Sequence, residues 1–227
     1  MSLLILVPQG AEHQAVCQEL SRCSNPPRVE AIPIGCSAVQ RFLHSTDLQI
    51  SQVVVMGLCG SLSPRYGVGE VVLYQECMDG LGQVKECDRA LTQRLQTCLN
   101  LTPVRALTSD RIIALASEKQ ALGKLHNADV VDMEGMAVMS LSAAITMVRV
   151  VSDDVHEDVP DLTGAIDPDG KLRSLPLAIG LIRHPIKGFR LIRGSLIGLR
   201  SLRRVARLVV ECLDDEPGID QRSRQPS

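Results

Sequence analysis

The sequence predicts an α/β fold: a single domain of three layers, αβα, around a central mixed, mostly parallel, twisted sheet. Three observations carry this reading. Short apolar runs alternate with amphipathic stretches through the first two thirds of the chain. Strands that alternate with helices build a mostly parallel sheet covered on both faces. One run, Val53-Val54-Val55-Met56, is apolar throughout, as a strand buried on both faces must be. The length of 227 residues suffices for one substantial core and leaves little for a second.

The elements follow in order. Leu3 to Val7 is a buried strand. The run has no basic leader and no small-residue cleavage site, so it is read as a strand rather than a signal peptide. Pro8-Gln9-Gly10 turns the chain into a helix from Ala11 to Leu20, with Glu12 in its first turn. Val29 to Ile34 is the second strand, and a helix follows from about Ser37 to His44. After the third strand come Gly57-Leu58-Cys59-Gly60 and then a turn, Gly67-Val68-Gly69-Glu70, into a strand from Val71 to Gln75. Asp88 to Cys98 is an amphipathic helix, Val104 to Leu107 a strand, and Ser117 to Leu125 a helix with an early Glu118. His156 to Gly170 is an acidic loop, long enough to be functional. Lys171 to Cys212 reads as helical with an interruption near Pro185. The domain is placed at residues 1–212, and residues 213–227 are expected to be a disordered tail.

The totals exclude several classes. A formal net charge of −2 does not suit a general polyanion binder. With no Trp, two Tyr and two Phe, stacking on bases has little to work with, so nucleic acid is not an expected partner. The eight Cys form no Cys-x-x-Cys pair, and no metal site is expected. They are read as reduced, mostly buried thiols of a cytoplasmic protein. No apolar run is long enough to cross a bilayer.

The stretch from Asp129 to Asp154 organises the rest. An apolar strand ends in Asp132-Met133-Glu134, and a small-residue helix starts at Gly135. A second strand, Thr146 to Val151, ends in Ser152-Asp153-Asp154. Ligands of open α/β sheets bind beyond the carboxyl ends of the strands. Carboxylates gathered there suit proton transfer and the grip of sugar hydroxyls.

Five stretches in this order resemble the nucleoside phosphorylase/nucleosidase superfamily. They are the first strand with Glu12 after it; Gly35 after the second strand; Gly57-Leu58-Cys59-Gly60-Ser61-Leu62 with Val68-Gly69-Glu70-Val71-Val72; Thr108-Ser109-Asp110 with Glu118-Lys119; and Val131-Asp132-Met133-Glu134-Gly135 with Arg149-Val150-Val151-Ser152-Asp153. The resemblance spans residues 1 to about 155. Within it, the chain looks most like the hopanoid-associated adenosylhopane nucleosidase/phosphorylase branch. That likeness rests on Gly164-Ala165-Ile166-Asp167-Pro168-Asp169-Gly170, on Arg183-His184-Pro185 and on a basic, Leu-rich C-terminal segment.

The resemblance implies cleavage of an N-glycosidic bond without metal or organic cofactor. Asp153 then matches the acid that protonates N7 of the departing purine, with Ser152 to orient it. Such an acid needs a raised pKa, expected from burial and neighbouring carboxylates. The plain alternative is a solvated strand end or a helix cap. Glu134 matches the residue that accepts from the ribose hydroxyls, with Met133 packed on the sugar or base. Its alternative is a helix first-turn glutamate favoured by the dipole. Glu12 matches the general base beside the attacking water. Gly57, Leu58, Cys59 and Gly60 are expected to bring backbone N–H groups to the substrate, and Ile112 lies where relatives place a base-contacting side chain.

Phosphorylases of the family carry Arg and Thr where this chain has Val55 and Leu58. A phosphate dianion would be poorly held, so water is the expected nucleophile, although Arg65 or Arg111 could supply charge. The expected activity is hydrolysis of a 5′-modified adenosine, with adenosylhopane as the lipid nucleoside in view. Methylthioadenosine or adenosylhomocysteine hydrolysis, phosphorolysis, and a non-catalytic nucleoside- or membrane-surface-binding module are the alternatives. Basic and apolar residues segregate at helical spacing between 183 and 207. Such a helix suits peripheral contact with an anionic membrane; a core-packing helix at an oligomer interface is the competing reading. A homodimer is expected.

Overall fold

The computed structural model describes residues 3–46, 50–160, 165–171, 173 and 184–214. Gly164, Arg183 and the tail from 215 onward, all used in the sequence reading, lie outside the described residues.

A single mixed sheet forms the centre. Its strands are β1 (Leu3–Pro8), β2 (Arg28–Ile32), β3 (Gln52–Ser61), β4 (Val71–Met78), β5 (Val84–Glu86), β6 (Pro103–Thr108), β7 (Val130–Asp132) and β8 (Ala144–Asp153). The helices are α1 (Ala11–Leu20), α2 (Cys36–Ser45), α3 (Arg89–Leu99), α4 (Ala116–His126), α5 (Gly135–Val138) and α6 (Pro185–Asp214). The order is β2-β1-β3-β7-β6-β4-β5, and β8 pairs with both β3 and β4. The strands β3, β7, β6, β4 and β8 therefore close into a ring, which the expected open sheet does not.

Side chains alternate along the strands and so feed two cores. Leu4, Leu6, Val53, Val55 and Met147 face one side, with α2 and α5 packed on it. Ile5, Val7, Val54, Met56, Val148 and Val150 face the other, under α1, α3 and α6. Helix termini follow local chemistry. Asp88 caps α3 by accepting from the Leu91 N–H at 2.9 Å. Asn100 and Asn127 close α3 and α4 in the left-handed conformation.

Several expectations need correction. β3 continues through Gly57-Leu58-Cys59-Gly60 as strand, because Gly57 to Cys59 stay in register with Arg149 to Val151 of β8. The third strand thus runs to Ser61, past its expected end at Met56. The helix after Glu134 is only four residues long. β7 runs antiparallel to β3 while β8 runs parallel to it, so the two acidic strand ends do not share one carboxyl edge. They meet instead at Gly60, which pairs with Val131 on one side and Asp153 on the other.

The basic helix is split. Leu202, Val205, Ala206 and Val209 on its C-terminal half are core, since that half packs against α1 and α3. Ile186, Phe189, Ile192 and Leu196 on the N-terminal half are exposed. Pro185 begins α6, as its missing N–H permits; residues 174–183 of the expected helical stretch lie outside the described residues. Cys98 and Cys212 form a disulfide between the ends of α3 and α6, which corrects the all-reduced expectation for this pair. At a sequence separation of 114, spacing carried no sign of it. Among the described residues, no helix is long and apolar enough to cross a membrane.

Candidate active site

One cavity of about 440 Å³ gathers nearly all the residues singled out in the sequence. Asp153, Ser152, Glu134, Met133 and Glu12 line it. Leu58, Cys59, Gly60 and Ile112 line it as well. Gly57 lies behind the wall, where a β-carbon would come within 3.0 Å of Glu12 Oε2 and Arg149 Nη1. A second cavity of about 370 Å³ adjoins and shares Ile112 and Met133.

Glu12 is the second residue of α1, entered through Gly10 at φ 98°. Its Oε2 accepts the Leu58 N–H at 2.7 Å. Burial raises its pKa to about 7, against the pull of Arg149 and with a push from Glu134. A carboxyl group in that range is suited to general-base work near neutral pH.

Glu134 sits between β7 and α5, with Oε1 accepting the Gly35 N–H at 3.0 Å. Its Oε2 lies 3.3 Å from Arg149 Nη2. Burial raises its pKa, although Arg149 opposes the rise. Each oxygen keeps a lone pair, so both can still accept from a vicinal diol in the cavity.

Arg149 received no role in the sequence reading, yet it is fully buried at the centre of the acidic residues. It bonds to Asp132 and Glu134 through Nη2, 3.3 Å from each. Burial works against its charge, but the carboxylates of Asp132 and Glu134 outweigh this and hold its pKa above the usual arginine value. Its Nε and Nη1 have no hydrogen-bond partner. Asp132 is fixed in turn by the Thr108 hydroxyl at 2.8 Å and the Gly135 N–H at 3.2 Å. An arginine in an apolar strand signals buried acidic partners, because an unpaired buried charge is too costly.

Asp153 ends β8, with its side chain 18% exposed toward the cavity. Neighbouring carboxylates were expected beside it. The ion-pair partner is instead Lys119, whose Nζ lies 2.5 Å from Asp153 Oδ2. Ser152 Oγ is within reach of Asp153 Oδ1 at 3.0 Å and of the Cys59 carbonyl at 3.2 Å. The Cys59 thiol is buried and its pKa is pushed far up, so it is no nucleophile.

Val55 is fully buried in the core. Leu58 packs toward the space above Gly198 of α6. Arg65 is tied to Asp129 and Arg111 to Glu118. Leu191, Ile192, Ser195 and Leu196 of α6 form an apolar cover that the sequence reading did not place at the site. Gly194 permits this cover, since a β-carbon there would collide with the Ser152 carbonyl oxygen.

The sequence profile of the phosphorylase superfamily matches residues 29–171. Among curated proteins, none matches this chain in sequence. The fold is similar to futalosine hydrolase of Helicobacter pylori, with a TM-score of 0.69 and 12% identity over 93% of this chain and 97% of that one. It is similar to the 5′-methylthioadenosine/S-adenosyl homocysteine nucleosidase of Helicobacter pylori, with a TM-score of 0.70 and 12% identity over 95% and 99%. It is also similar to the 5′-methylthioadenosine nucleosidase of Arabidopsis thaliana, with a TM-score of 0.66 and 14% identity over 95% and 96%.

Proposed function

Because the chain belongs to the phosphorylase superfamily, we propose that it is a nucleosidase, hydrolysing the N-glycosidic bond of a 5′-modified adenosine and releasing adenine. The observation that carries this reading is the convergence of Glu12, Glu134, Met133 and Asp153 on one cavity. Asp153 gives its proton to the purine as the glycosidic bond breaks. Glu134 accepts from the ribose hydroxyls, with Met133 against the sugar. Glu12, with its pKa near 7, takes a proton from the attacking water. Arg149 Nη1 and Glu12 Oε2 both lie close to Gly57, so the guanidinium steadies the base in its ionised form.

Water is favoured over phosphate by charge. Arg149 stands among Asp132, Glu134 and Glu12, and Arg111, which also lines the cavity, is paired with Glu118, so a dianion would meet more carboxylate than guanidinium. Phosphate-independent turnover is the expected outcome, and a strict phosphate requirement would move the reading to a phosphorylase.

The 5′ substituent is read as large and apolar, with adenosylhopane as the candidate. Ile192 and Leu196 line the cavity and are also about half exposed, and Phe189 and Ile186 continue outward along α6. These exposed apolar side chains would take an apolar substituent that leaves the cavity. The same exposed half of α6 is the proposed contact with an anionic membrane, with Arg193 among its exposed basic residues. Lys187 and Arg190 are paired with Asp158 and Glu157 and add less charge than the sequence suggested. A homodimer at the membrane surface completes the reading; the Cys98–Cys212 disulfide removes the thiol argument for a cytoplasmic location. Adenine release from a series of adenosines with lengthening alkyl 5′ substituents tests it, with and without phosphate. Rates that rise with chain length support the lipid nucleoside; rates highest for methylthioadenosine support the small-molecule alternative.

A further inference from the structure

Lys119 is buried completely, with its side chain 0% exposed. Lysine is almost never found so unless each of its protons has a partner. Here Nζ donates to Asp153 Oδ2 at 2.5 Å, to the Asp154 carbonyl at 2.9 Å and to the Glu157 carbonyl at 3.2 Å. Two of these partners are backbone atoms of the loop that follows β8. The third is the carboxylate that faces the cavity. The other charged groups of this loop turn elsewhere. Glu157 pairs with Arg190, and Asp158 pairs with Lys187 and accepts the Ala116 N–H at the start of α4.

From this geometry we propose that Lys119 is the positioning residue of the proton donor, fixing Asp153 toward the leaving base and stabilising the carboxylate left behind. The proposal rests on the nucleosidase reading. In the step it serves, Asp153 first takes a proton from solvent in the cavity; its O–H bond then breaks and an N–H bond forms on the purine. The electron pair of the glycosidic bond leaves with the base, and Asp153 becomes an anion. The Lys119 ammonium is already in hydrogen-bond contact with that anion. A charge-assisted bond of this kind is about twice as strong as a neutral one. Preorganised charge aimed at where charge develops lowers the barrier without further reorganisation. Backbone carbonyls on the other two protons hold the ammonium in place, so Asp153 cannot swing away without leaving a buried cation unpaired.

The test compares two leaving groups in the full-length protein. Adenine must be protonated to depart, whereas the 4-nitrophenolate of 4-nitrophenyl β-D-riboside need not be. Lys119→Gln keeps two N–H donors and removes the charge. It is expected to lower kcat for the adenosine substrate by about 10- to 100-fold, with KM little changed. Its rate on the nitrophenyl riboside should stay within about threefold. Combined with Asp153→Asn, it should cause no further loss, because the two act as one unit. Lys119→Arg should restore part of the purine rate, and Lys119→Met provides a second neutral variant. Equal losses on both substrates, no loss on either, or failure of both neutral variants to fold would make Lys119 structural and overturn the proposal. If the wild-type protein releases no base from any adenosine, the nucleosidase reading falls as well. An active wild type with leaving-group-independent losses sinks the role of Lys119 alone.

Discussion

Glu12 Oε2 and Arg149 Nη1 both crowd the space that a β-carbon on Gly57 would need, each within 3.0 Å of it. The glycine in the middle of β3 is thus what lets the base and its buried cation draw together. Gly57→Ala is expected to push them apart and cost about 1–3 kcal/mol of stability. Hydrolysis should fall by about tenfold or more while the fold persists. Thermal melting and adenine release on the same sample check this, and an alanine variant with unchanged turnover would contradict it.

The pKa of Glu12, raised from 4.5 to about 7, makes two opposite predictions. As a base it works only when ionised, so kcat/KM should rise with pH up to about 7 and then level off. For stability the sign is reversed. The fold favours the neutral form, so stability is lost as pH rises from the unfolded value through the folded one. Glu12→Gln should therefore abolish most turnover yet be more stable than the wild type at about pH 8, by on the order of 1–3 kcal/mol. At about pH 4 the two proteins should melt together. A variant less stable than the wild type at the higher pH would show that the site does not hold Glu12 as described.

The Cys98–Cys212 bond ties the end of α6 to α3 across 114 residues of sequence. Reduction should lower stability by about 2–5 kcal/mol through the freed unfolded chain. The loss should show in melts with and without reductant, and should vanish in a Cys98→Ser/Cys212→Ser protein. An equal response to reductant in that double variant would place the effect in another cysteine.

Most of the fold was legible because period and punctuation were local. β1, α1, α3 and α4 follow from apolar spacing with Gly, Asp and Asn at their ends. β3 was ended at Met56 because glycines follow, yet Gly57 and Gly60 are strand glycines that give room to Glu12 and Asp153. β7 was taken as parallel to β8. Only the closure of the ring reverses its direction, and closure is set by pairings distant in sequence. The acidic candidates were visible as carboxylates after apolar runs. Their cationic partners were not, since Lys119 and Arg149 look like surface and strand residues until burial is known. The place of α6 over the cavity was hidden for the same reason. It depends on Gly194 and Gly198 meeting β8 and β3, a contact that no local pattern announces.

The most direct measurement is adenine release from a 5′-alkylthioadenosine in phosphate-free buffer, by the wild-type protein and by Asp153→Asn at equal concentration. The account predicts steady hydrolysis by the wild type and a loss of about 10²- to 10⁴-fold in the variant, the range a general acid contributes. A variant that releases adenine as fast as the wild type would contradict it, since the purine would then be leaving without the proton of Asp153.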